Sequence, residues 1–289
     1  MNKVILFGAT GKLGTKIAIK LSEKNYVVTA VVRNRSKADH IKQHVNNTII
    51  ADVTDADALK DICKGFDIVI SSLGKSVSLN DKSKPGFKDI DLDANTAILK
   101  EAKAASVKKF IYVSAHGAEK NLHLTYFKTH HYFSQYVKRS GIDFTIIKPP
   151  AIMSSFIDLI EMAKKGRVIT IGKGDKLTNP IYEGDLAEIC VESIIEKNAK
   201  NAELDMGGKT LYTRRQINEI IQHHVNASKK VKTIPIWLIK FGVPFIKLFD
   251  KNTYDKFAFF LEVIQRDTVA PKLGKTTLEE YLGNKLYLS

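Results

Sequence analysis

The stretch VILFGATGKLGTKIAIKL, residues 4–21, joins an unbroken apolar run to a segment of helical spacing through three glycines, Gly8, Gly11 and Gly14. The run reads as a strand covered on both faces, and the segment after it as a helix. Glycine at every third position of such a junction has three physical uses. It frees the turn, it lets a ligand approach main-chain N–H groups, and it lets the helix start pack on the strand. The helix N-terminus then offers unpaired donors and a partial positive charge to a diphosphate. Thr10 adds a hydroxyl and Lys12 a counter-charge, so Gly8, Thr10, Gly11, Lys12, Leu13 and Gly14 are the expected phosphate loop.

Further apolar runs follow at YVVTAVV, NTIIAD, FDIVISSLG, KKFIYVS and IDFTIIKP, alternating with helix-like stretches that include DADALKDICK, DLDANTAILKEAKAA and YFKTHHYFSQYVKRSG. This alternation predicts right-handed βαβ units and a Rossmann-type, doubly wound parallel α/β sheet. The pattern defines a dinucleotide-binding domain over 1–150 and a smaller, mixed and mainly helical lobe on the substrate side over 151–289, which need not fold independently. The irregular stretch 74–89 is expected to be a mobile flap. The apolar segment IPIWLIKFGVPFIKLF, 234–249, with lysines at 240 and 247, could lie on a membrane or meet a quinone, but Gly242 and Pro244 interrupt the pattern a surface helix needs, so it is expected to pack on the lobe or roof a pocket.

Composition narrows the function classes. A net charge of +14 raises a nucleic acid, an anionic membrane surface or a polyanionic ligand as partner. The excess is mostly scattered lysine, with SKKVK at 228–232 a short densest run, and no nucleic-acid motif accompanies it, so a solvated surface and no nucleic acid are expected. No apolar stretch is long enough for a membrane span. Cys63 and Cys190 lie in segments of helical character without ligand spacing, and the start MNKVILFGAT has no cleavage site, which together predict free thiols and a cytoplasmic protein. His116, His123, His130 and His131 match no common metal pattern, so no metal is expected.

The strand ends indicate which dinucleotide is held. Arg33, after the second strand, stands where NAD-specific proteins tend to place an acidic residue, and with Arg35 and Lys37 it can meet a 2′-phosphate. NADP(H) is therefore the preferred cofactor, with NAD(H) the alternative. Asp52 and Val53 are placed to meet the adenine edge, while Ser72, Leu73 and Gly74 run along the ribose and pyrophosphate.

With these residues in view, the chain resembles the short-chain dehydrogenase/reductase superfamily, specifically its atypical NmrA-like NAD(P)-binding group. The resemblance rests on GATGKLG, VVRNRSK, ADVTD, SSLG, DLDANTAILKEAKAASVKKFIYVS, SGIDFTIIKPP, NPIYEGDLAEI and RDTVAPKLGKTTLEEYL, and covers most of the chain. It implies a Tyr-x-x-x-Lys pair on the helix after the fifth strand, which falls on Tyr126 and, at the lysine position, His130. Lys128, two residues on, points about 200° round the helix and cannot substitute. His130 could bond a ribose hydroxyl or, when protonated, favour tyrosinate. The resemblance also implies that Ser114 supports the cofactor or the strand end, that His116 occupies the place of the active hydroxyl, that Asn95 stabilises the site, and that Pro150 to Ile152 meet the nicotinamide.

The reading is an NADP-dependent oxidoreductase moving hydride between NADPH and a small carbonyl or quinone-like substrate, with Tyr126 as proton donor and His130 and His116 as further catalytic candidates. Two alternatives stand beside it: a non-catalytic NADP(H)-binding sensor or accessory protein, and a nucleotide-sugar epimerase or dehydratase. The expected assembly is a monomer or homodimer.

Overall fold

Seven parallel strands form the centre of the computed structural model, which describes residues 2–288 apart from the Pro244 side chain. The first half contributes β1 (Lys3–Phe7), α1 (Lys12–Glu23), β2 (Val27–Val32), α2 (Arg35–Ala38), β3 (Asn47–Ile50), β4 (Ile68–Ser71), α3 (Asn95–Ala104), β5 (Lys109–Val113), α4 (Thr125–Lys138) and β6 (Asp143–Lys148). The second half adds α5 (Ile157–Lys164), β7 (Ile169–Ile171), β8 (Leu177–Thr178), α6 (Glu183–Glu192), β9 (Ala202–Asp205), β10 (Tyr212–Thr213), α7 (Arg214–Asn226), β11 (Lys232–Ile234), α8 (Ile236–Ile246), α9 (Lys251–Val263) and α10 (Leu278–Gly283).

The sheet order β3-β2-β1-β4-β5-β6-β9 reverses direction between β1 and β4. In an open α/β sheet, the crevice at that switch point is where ligands bind. Alternation along β1 explains the layers. Val4 and Leu6 meet Ile17 and Leu21 of α1 and Leu186 of α6, while Ile5 and Phe7 meet Ile98 of α3 and Phe133 and Val137 of α4. The doubly wound α/β class expected from the sequence is the one observed. Both β9 and α6 come from beyond residue 150, so the sheet and its core run across that position. Met153, Ile160, Ile221, Leu278 and Tyr281 build a separate apolar cluster in the C-terminal half.

Helices return to strands by left-handed caps. Asn25 (φ 59°) ends α1, with the Tyr26 N–H donating to the Leu21 carbonyl at 3.0 Å, and Ser106 (φ 55°) ends α3 with the same pairing from Val107 to Ala102.

Three expectations need correction. The DADALKDICK segment is a run of turns: Asp61 adopts φ 61°, its N–H donates to the Glu101 carboxylate at 2.7 Å, and the Asp55 side chain takes the Asp57 N–H. Short acidic side chains here compete with the helical ladder. The 74–89 stretch is strapped down: buried Lys256 of α9 donates to the Ser78 and Asp81 carbonyls at 2.8 and 2.7 Å, and Asp158 of α5 accepts from Ser78 at 2.6 Å and Asn80 at 3.0 Å. Finally, α8 continues through positions 242 and 244, with one apolar face turned to the protein beside α9 and a second left open. No helix among the described residues is long and apolar enough to cross a membrane.

Candidate active site

Two of the three loop glycines are required by the turn itself. Gly8 has φ +79°, and a Cβ there would lie 2.8 Å from the Ser72 carbonyl carbon. A Cβ on Gly14 would lie 2.1 Å from the Gly8 carbonyl oxygen. Gly11 differs: it is exposed, and its Cβ would meet only the Gly8 carbonyl oxygen, at 3.4 Å. Protein packing thus leaves room over Gly11. Helix α1 starts there with no side-chain cap and no acidic residue in its first turn. Thr10 and Lys12 are exposed alongside, while Leu13 is buried in the core and anchors the helix start. An open glycine beside an uncapped helix N-terminus fits a diphosphate.

Across the switch point, the Ser72 hydroxyl donates to the Phe7 carbonyl at 3.1 Å, tying the end of β4 to the end of β1. Leu73 packs on the core and Gly74 is exposed. Beneath this loop, Asn95 accepts from the Ser71 hydroxyl at 2.6 Å and donates to the Ile90 carbonyl at 3.1 Å. Asp91, on a π-helical turn (Lys88–Ala94), accepts the Lys75 N–H at 2.7 Å through Oδ1 and leaves Oδ2 without a partner among the described residues. Burial holds its carboxyl well above the usual range, only partly offset by Lys75. Asp91 was not singled out in the sequence; its one signal is its position ahead of Asn95 in DLDAN.

At the adenine end, Arg33 is exposed and makes no ion pair or side-chain hydrogen bond with another described residue. Asp52 turns back on itself, accepting the Thr54 N–H at 2.9 Å and hydroxyl at 2.7 Å; these bonds, with a smaller contribution from the Arg33 charge, hold its carboxyl low. Val53 is buried in the core rather than open to a ligand.

The catalytic candidates gather at the C-terminal end of β5. Tyr126 opens α4 and is walled by Phe87, His130 and Phe259, with ring centroids at 5.3, 4.6 and 4.3 Å. Burial, reinforced by Asp91, raises its hydroxyl pKa. His130 is 5% exposed, its Nδ1 pairs with the Tyr112 hydroxyl at 2.6 Å, and burial pushes its pKa down to about 3. The expected protonated role is therefore lost: an imidazole held neutral cannot favour tyrosinate. Ser114 is also buried, its hydroxyl sharing a 3.2 Å bond with Ser134, which places it at the strand end.

His116 sits in the β5–α4 connection, its N–H donating to the Pro149 carbonyl at 3.0 Å. Its Nδ1 lies 2.7 Å from Asp205 Oδ1 at the end of β9, and Lys148 of β6 lies 3.7 Å from the same oxygen. Burial works against the Lys148 ammonium, but Glu203 and Asp205 outweigh it and hold its pKa above the ordinary value. Sequence reasoning missed Asp205, which stands 89 residues from its partner. Pro150 and Ile152 follow β6, half-buried, with Ile152 bridged to Ile181.

A family model described as NAD(P)H-binding matches residues 8–197 of this sequence. The chain belongs to that family. The glycine loop, the β4 end and the β5–α4 connection just described all fall inside the matched region of this NAD(P)H-binding chain. It is 23% identical to the photosystem II assembly factor Ycf39 of Trieres chinensis, over 96% of this chain and 86% of that protein. Its fold matches a nucleoside-diphosphate-sugar epimerase from Staphylococcus aureus with a TM-score of 0.77 at 20% identity, covering 98% and 99% of the two chains. It also matches an NADPH-dependent quinone oxidoreductase from Escherichia coli, complexed with NADPH, with a TM-score of 0.74 at 20% identity over the same shares.

Proposed function

We propose that the protein is an NADPH-dependent reductase of a small, fairly apolar carbonyl or quinone-like molecule. One juxtaposition carries the reading. Tyr126 packs on Ala115 and Ala118 of the same connection that holds the Asp205-paired His116. A phenol and an imidazole thus stand together at the C-terminal edge of β5, on the far side of the switch point from Arg33. NADPH supplies the hydride when bound. The chain's part is to hold the diphosphate at Gly11, pair Arg33 with the 2′-phosphate, and deliver a proton to the substrate oxygen.

The raised hydroxyl pKa of Tyr126 keeps it protonated, which suits reduction, where a proton is given, rather than oxidation, where one is taken. The apolar company of Phe87, Phe127 and Phe259 suits a flat, weakly polar acceptor, and the E. coli fold relative is named for reducing quinones. NADPH consumption against a panel of quinones, aldehydes and enones tests the proposal. Turnover of at least one class, lost in Tyr126→Phe, is the expected result.

A second reading is an NADP(H)-binding accessory protein without turnover. It is favoured by the Tyr112–His130 bond, which leaves no cation where the resemblance implies a lysine. Tight NADPH binding with no turnover of the panel between about pH 5 and pH 9 would decide for it.

A further inference from the structure

We propose that the outer face of α8 is a docking surface for an anionic lipid bilayer. Viewed down its axis, α8 has two apolar faces. Ile236, Ile239, Val243 and Ile246 turn toward the protein, whereas Trp237, Phe241 and Phe245, four residues apart, share the opposite arc. Leu248 and Phe249 in the following turn extend that arc. Exposure is 65% for Trp237, 75% for Phe241 and 89% for Phe249. The Phe241 and Phe245 rings lie 6.0 Å apart and form one continuous aromatic surface. Single exposed apolar residues are ordinary; a contiguous aromatic patch of this kind marks an interaction site.

Charge identifies the occupant. Between residues 228 and 251 there are six lysines against one aspartate. At about 100° per residue, Lys240 and Lys247 fall together on one flank of α8, between the buried and the open arcs. Lys229, Lys230 and Lys232 lie just ahead of the helix, all exposed. Lys247 rests its ammonium over the Tyr254 ring at 5.4 Å and keeps its charge at the surface. An apolar aromatic face flanked by lysines is the chemistry of an in-plane helix on an acidic bilayer: the rings enter the headgroup boundary while the lysines reach lipid phosphates. A second copy fits worse, because a twofold contact would set the two lysine rows against each other in a chain already carrying +14. With 11 residues, or about 16 Å, α8 lies on a bilayer and does not cross it. The inference does not depend on the reductase reading.

Trp237, the only tryptophan of the chain, is a built-in reporter on this face. Native protein mixed with vesicles of equal phosphatidylglycerol and phosphatidylcholine should show a blue shift of tryptophan emission and sediment with the lipid. Pure phosphatidylcholine vesicles should give neither, and about 0.5 M salt should weaken the effect. Phe241→Glu with Phe245→Glu should abolish binding while NADPH affinity is kept, and Lys240→Ala with Lys247→Ala should weaken it by about tenfold or more. Unchanged emission and protein left in the supernatant would overturn the proposal. So would sedimentation of the double glutamate variant equal to native, which would put lipid binding elsewhere. A concentration-dependent blue shift without lipid, together with a dimer in solution, would give the face to a second copy instead.

Discussion

The Tyr112 hydroxyl lies 2.6 Å from His130 Nδ1, so the residue standing at the expected lysine position bonds inward to β5. This geometry has a cost that depends on pH. The folded-state pKa of about 3 lies below the unfolded value of about 6.5. Above pH 6.5 the ring is neutral in both states and costs nothing. As pH falls from 6.5 toward 3, the unfolded chain gains a proton that the folded one refuses, and stability drops by up to about 1.4 kcal/mol per pH unit. Urea unfolding at pH 7.5 and pH 5.5 should therefore show a loss in the native protein larger by roughly 1 kcal/mol than in His130→Gln. Equal losses would mean that the ring titrates normally.

The core was legible because its central strands, β1, β2, β4 and β5, are largely apolar runs and each glycine of the loop sits where strand meets helix. The turns at 56–65 were not, since their outcome depends on Glu101 of α3 reaching the Asp61 N–H. The open face of α8 was hidden for a similar reason: an apolar helix is expected to be covered, and only the packed structure shows which face stays bare. In the site, Tyr126 and His130 were reachable through the resemblance, which implies a Tyr-x-x-x-Lys pair on the helix after the fifth strand. Asp205 could not, because its pairing with His116 is made by two strand ends far apart in the chain.

The glycine loop separates packing from binding. Gly14→Ala drives a Cβ to 2.1 Å from the Gly8 carbonyl oxygen, so backbone must move, at a cost of about 3 kcal/mol. Thermal unfolding should shift down by several degrees. Gly11→Ala meets only a 3.4 Å contact and should leave Tm within about 2 °C. Its NADPH affinity by calorimetry should fall at least about tenfold, because the methyl occupies space the diphosphate needs. Native affinity in Gly11→Ala would remove the diphosphate from this loop.

Arg33, exposed and without an ion-pair partner among the described residues, tests the choice of dinucleotide. Arg33→Gln removes the charge without adding a new one. A charge-assisted contact to phosphate is worth about 1.5–3 kcal/mol, so NADPH should bind roughly 10- to 100-fold more weakly. NADH affinity should change by no more than about twofold, since it lacks the 2′-phosphate. Equal weakening of both would place Arg33 outside the ribose site.

The proton donor can be assigned from two variants and one pH profile. With histidine at position 130, where the resemblance implies lysine, and its pKa raised by burial, Tyr126 stays protonated well into the alkaline range. If it donates the proton, kcat should hold flat through about pH 9. Tyr126→Phe should then lower kcat by about 100-fold or more while leaving the NADPH dissociation constant unchanged. Asp205 touches His116 from the end of β9 and also faces Lys148, so Asp205→Asn loosens the ring it orients and removes a charge that Lys148 pairs with. It should cost about tenfold in kcat if His116 shares the transfer. A Tyr126→Phe enzyme of native kcat, beside an Asp205→Asn enzyme that has lost it, would hand the donor role to His116.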